Sequence, residues 1–117
     1  MLTPFEIQEA IEAEMERQQT LLEELRQVAI DHARAEADFK IGFAKERLKV
    51  RAEGGANGAK ITVDTADDHA TVATESEYYN RLLTTNNMMT LREAIHASKT
   101  RIEGLRTLAA SQRTITP

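Results

Sequence analysis

Residues 4–53 read PFEIQEAIEAEMERQQTLLEELRQVAIDHARAEADFKIGFAKERLKVRAE, a run with no proline after Pro4 and one glycine, Gly42. A continuous helix of about 50 residues measures on the order of 75 Å, far beyond the usual globular length, and such a run indicates a coiled coil or an extended hairpin. Its start is marked by Thr3-Pro4-Phe5-Glu6, with Thr3 as N-cap, Pro4 at the first helical position and Glu6 placed to close a capping box. Apolar residues recur in steps of three and four at Ile7, Ile11, Leu21, Leu25, Val28, Ala35 and Phe39, a heptad seam. Glu14, Gln18 and His32 fall on the same seam. A neighbouring seam through Ile11, Met15, Leu22, Leu25, Ala29 and Phe39 is nearly as good, so the stripe is wide enough to touch more than one neighbour.

Downstream, Gly54-Gly55-Ala56-Asn57-Gly58 reads as a turn. A connector then leads to a short helix over about 64–73, capped by Thr62 or Asp64, with Asp67 and Asp68 in its first turns. A second long helix is expected over 75–112. Its distal half carries Met88, Leu91, Ile95, Ser98, Ile102, Leu105 and Ala109, again in steps of three and four. Gly104 breaks helix propensity and marks a place for close helix packing; the tail from Thr114 is expected to fray. The fold class that follows is all-α: two long helices (1–53 and 75–112) forming an extended helical hairpin, joined through a turn and connector helix (54–74), in one oligomerising domain.

Assembly follows from composition. The chain has 117 residues, 4% aromatic, no Trp and mean hydropathy −0.46, the profile of long helices rather than of a large compact core. Leu91, Ile95, Ile102 and Leu105 are therefore expected to meet other copies, giving a homo-oligomer. There is no Cys, which excludes disulfides and thiolate metal sites. No stretch resembles a signal peptide or a membrane span, and a soluble, cytoplasmic protein is the expectation.

Catalysis needs convergent groups, and none converge here. His32, His69 and His96 lie on separate segments, and Asp64, Asp67 and Asp68 lack the glycine and closing glutamate of a calcium loop. The Gly54–Gly58 run lacks the Lys-Ser/Thr of a phosphate-cradling loop. No enzyme activity, metal or cofactor is expected. His32 reads as a satisfied interface histidine, and Tyr78-Tyr79 as core more readily than as a base-stacking platform.

Charge is distributed unevenly. Residues 1–38 hold three cations against ten carboxylates, −7; residues 39–60 give +4, residues 61–91 −4 and residues 92–117 +3, within a net charge of −4. The cationic zone comprises Lys40, Lys45, Arg47, Lys49, Arg51 and, beyond the turn, Lys60. A focused positive field suits a phosphate backbone, tracked without base readout. It equally suits a solvated helix end that complements the helix dipole.

Ala44-Lys45-Glu46-Arg47-Leu48 resembles the Lys-x-Arg-Leu motif of phage recombination mediator proteins of the UvsY type from T-even phages. The order of parts is similar over about 40–107: helix, basic motif, Gly-containing turn, polar connector, long helix. Lys45, Arg47 and Leu48 carry over; the acidic and aromatic residues that follow Leu in the family are replaced by Lys49-Val50-Arg51. The resemblance implies a phage protein, a ring-like homo-oligomer that binds single-stranded DNA, helps displace single-strand-binding protein and loads a RecA-like recombinase. Two other readings stand beside it: a coiled-coil structural or scaffold protein whose cations engage an acidic partner protein, and an adaptor with no nucleic-acid role.

Overall fold

In a computed structural model the chain is described over residues 2–56 and 62–115, and every regular element in that range is helical. Helix α1 spans Pro4–Ala56, α2 Val63–Ala73 and α3 Glu75–Ile115. The start of α1 follows the local code: the Glu6 amide donates to Thr3 Oγ1 at 3.2 Å, satisfying one of the orphan donors of the first turn. Thr62 caps α2 in the same way, accepting from the Thr65 amide at 3.2 Å. One residue, Thr74, separates α2 from α3, and its hydroxyl donates back to the Ala70 carbonyl at 2.6 Å.

The expected turn begins too early. Helix α1 runs through Gly54 and Gly55 to Ala56, because hydrogen bonds propagated from a 50-residue helix outweigh about 1 kcal/mol per glycine. Asn57 and Gly58 lie outside the described residues. Helix α3 likewise continues past Gln112 to Ile115, where fraying was expected from Thr114.

The described residues form two compact units. One combines the N-terminal half of α1 (to Gln27) with the C-terminal half of α3 (from Met88). Its buried residues are Ile7, Ile11 and Glu14 on α1 and Ile95, Ser98 and Ile102 on α3. The helices run antiparallel: Gln112 Nε2 donates to the Leu2 carbonyl (2.7 Å), while Ser98 Oγ reaches the Glu14 carbonyl (3.4 Å). Glu14, at 6% exposure, is held by Arg101 Nη1 at 2.8 Å.

The other unit, Val28–Asn87, contains the rest of both long helices and all of α2. Here Phe39 meets Tyr78 (ring centroids 5.6 Å) and Phe43 (5.7 Å). Glu36 takes a hydrogen bond from Arg81 Nε, and Arg81 lies over the Phe39 ring. Helix α2 buries Ala66 and Ala70 fully and meets α1 through Asp67 and Arg47.

Burial selects between the two seams of α1. Every position of the first seam, from Ile7 to Phe39, is buried or half-buried, including Glu14, Gln18 and His32; Met15 and Leu22 of the second are exposed. The α3 stripe from Met88 to Ala109 is covered throughout. Ile95 (7% exposed) and Ile102 (6%) are thereby buried within a single chain, with Leu91 and Leu105 half-covered. The stripe assigned to contacts between copies is used inside the chain, because α1 supplies the partner seam that the sequence pattern suggested would come from another copy. Gly104 is exposed, and a methyl group at its Cα would meet nothing within 4 Å, so it does not mark close packing.

Candidate nucleic-acid interface

The cationic stretch occupies the last four turns of α1. Helical phase, not proximity in sequence, decides which of its charges are free. Arg47 points towards α2: its Nε lies 2.8 Å from Asp67 Oδ1, both atoms are shielded from solvent, and neither has an aligned hydrogen bond. The contact is an ion pair held by position. The guanidinium also stands 5.9 Å from the centre of the Phe43 ring, within cation–π range. One position earlier, Glu46 faces His69 at 3.8 Å. Arg47 is therefore committed to α2, and only part of its side chain is available to a ligand.

Lys40 approaches Glu36 Oε2 at 3.7 Å while remaining mostly exposed, a contact of little energetic weight. Lys45, Lys49 and Arg51 are exposed and make no ion pair among the described residues. Lys45 and Lys49 stand one turn apart with Leu48, 67% exposed, between them. Lys45 also borders an open cavity that it shares with Asp38 and Glu77, which moderates its field. Lys60 lies outside the described residues. Of the six cations expected to act together, the structure leaves Lys45, Lys49 and Arg51 as the accessible set, keeps Lys40 beside a carboxylate and turns Arg47 inward.

Sequence reading missed the acidic face of α2. Asp67 was expected only to complement the α2 dipole; instead it faces the basic stretch. The available signal was the sign alternation itself, since residues 39–60 carry +4 and residues 61–91 carry −4 across a chain reversal.

A second polar cluster lies in the same unit. Thr84 Oγ1 donates to backbone carbonyls of its own helix (Asn80 and Arg81, 3.0 and 3.1 Å), and it shares a hydrogen bond of 2.9 Å with His32 Nδ1. His32 Nε2 faces Glu36 at 3.9 Å. The Arg81 hydrogen bond, followed by the charges of Arg81, Lys40 and His32, outweighs partial desolvation and holds the Glu36 carboxyl below its ordinary value of 4.5. Every member of this cluster is satisfied by another, which fits the reading of His32 as an interface residue.

Among the described residues there is no group of three or more His, Asp or Glu able to hold a metal ion, and no helix is long and apolar enough to cross a membrane. Tyr78 and Tyr79 are both exposed rather than core, and the Tyr78 ring leans on Phe39. No protein family matches the chain, and neither a characterised protein nor a solved structure shows significant similarity to it.

Proposed function

We propose that the chain is a non-enzymatic, single-stranded-DNA-binding recombination mediator, assembling from several copies and helping to load a RecA-like recombinase in place of single-strand-binding protein. The observation that supports it is the exposed set Lys45, Lys49 and Arg51 at the end of α1, without an ion pair among the described residues and grouped around the exposed Leu48. Cations unpaired within the protein can neutralise phosphates and release counterions, which supplies most of the free energy of non-specific binding. The recombinase and single-strand-binding partners rest on the family resemblance at Lys45, Arg47 and Leu48.

The test is an anisotropy titration with single-stranded DNA over a salt series. Lys45→Ala with Lys49→Ala removes two phosphate contacts per engaged chain, and each contributes about 0.7 to the slope of log affinity against log salt. The slope should flatten by roughly 1.4 per engaged chain, with helicity unchanged because alanine suits a helix. Unaltered affinity at every salt concentration would reduce the basic stretch to a solvated helix end.

A second reading has an observation of its own. The Arg47–Asp67 pair shows this stretch already holding an acidic helix, as expected of a scaffold protein that engages an acidic protein partner. Asp67→Asn separates the two. If DNA is the ligand, releasing Arg47 adds one phosphate contact and steepens the salt slope by about 0.7. If the stretch serves only to hold acidic helices, the variant loosens α2 and gains no DNA affinity.

A further inference from the structure

The unit formed by Val28–Asn87 is short of core. Its buried apolar residues, among those described, are Ala35, Ala66 and Ala70, whereas the four buried isoleucines belong to the other unit. Of the fourteen exposed large apolar side chains among the described residues, nine lie in this same unit. Fully burying one Leu, Ile or Phe contributes about 1.5–3 kcal/mol, and alanine supplies far less. Apolar material is present here but faces outward.

Two of these side chains, Ile41 and Leu83, border one groove on the α1–α3 pair. Two open cavities, of about 220 and 380 Å³, follow the two helices, and a third of about 670 Å³ lies on α3 beside the exposed Tyr79 and Leu82; Asn80 lines all three. Small residues, Ala35, Gly42 and the exposed Ser76, line the groove. Between Asp31 and Lys45 it extends about 21 Å at 1.5 Å per residue, four turns of helix. Its charges are of both signs: Arg34 and Lys45 alternate with Asp31 and Asp38 on α1, and Glu77 stands opposite. Such a face repels a polyanion through its carboxylates. It fits a protein surface with the same mixture, and a two-fold copy presents that mixture in reversed order.

We infer that the Ala35–Asn80 groove is covered by the same groove of a second copy, two helix pairs meeting face to face as a four-helix contact. The inference rests on the assembly part of the proposed function and names its face, which shares Lys45 with the DNA-binding set and leaves Lys49 and Arg51 outside the groove.

The experiment is the solution mass of the full chain by light scattering at about 100 μM, where mass action favours association. The parent should give at least twice 13.1 kDa, and Ile41→Glu with Leu83→Glu should reduce it to a single chain. Both residues are exposed in the isolated chain, so far-ultraviolet circular dichroism should stay helical. Because the chain has no cysteine, Asn80→Cys supplies a sole thiol that a short bis-maleimide should link between copies, while Glu103→Cys, outside this unit, should not link. A single-chain parent overturns the inference, as does a double variant that keeps the assembled mass. If the double variant loses its helicity, linkage decides: no linked product from Asn80→Cys overturns it. DNA titration of the dissociated variant keeps the two ideas apart, since retained binding per chain leaves the DNA reading standing without the assembly.

Discussion

Glu36 and Glu14 are carboxylates on or beside the same seam of α1, and their surroundings give them different tasks. Glu36 is half-buried and surrounded by Arg81, Lys40 and His32. Because its charged form is favoured in the folded chain, its carboxyl titrates below 4.5. Its stabilising contribution is therefore complete above that value and is lost as pH falls through the lower folded one. Thermal unfolding of the parent and of Glu36→Gln, compared between about pH 6 and pH 3, should show the gap between them closing on acidification. An unchanging gap would mean that Glu36 acts through packing alone. Arg47 teaches the complementary lesson: a cation that sequence groups with Lys45 and Lys49 is set apart from them by helical phase.

At the scale of elements, the long helices are held by alternating apolar and polar layers. Ile7 and Ile11, and Ile95 and Ile102, enclose the layer in which Arg101 meets Glu14. Arg101→Gln leaves a buried carboxylate without its charged partner, which should cost about 1–3 kcal/mol and lower the denaturation midpoint without changing its slope. Glu14→Leu, which removes the need for a partner, should be neutral or stabilising. If Glu14→Leu is as damaging as Arg101→Gln, the layer contributes more than pairwise electrostatics. A register role follows from its position: slipping α3 by one step of its stripe, three or four residues, would set Ile95 or Ile102 against Glu14, so the pair specifies alignment even where it adds little stability. Helix α2 is of another kind, since it rests on two alanines, one ion pair and the Thr74 cap.

At the scale of the whole molecule, the two units differ in what they bury. Among the described residues, the buried apolar side chains are four isoleucines in the unit of both chain ends and three alanines in the unit around α2. Local opening follows buried apolar contact. Amide hydrogen exchange by mass spectrometry should therefore show peptides over 62–73 exchanging first, and peptides over 7–14 and 95–102 last. Protection of 62–73 equal to that of 95–102 in a dissociated chain would contradict this account; protection gained over 31–45 and 76–84 on assembly would agree with the covered groove.

Three helices, the cap at Thr3, a second cap at Thr62 or Asp64 and the covered stripe of α3 were legible in the linear sequence. All of these depend on local hydrogen bonding and on a 3.5-to-3.6-residue period, which a linear pattern records. It also located the charge, because net sign is additive along the chain. Which of two overlapping seams on α1 is covered, which cations remain free and whether the α3 stripe meets its own chain or another were decided only by tertiary structure. Each depends on what stands opposite a side chain: α3 across from Ile7 rather than Met15, Asp67 across from Arg47, α1 across from Ile95 and Ile102. A helical sequence states which face is sticky, and the partner for that face is chosen by geometry across more than fifty residues of intervening chain.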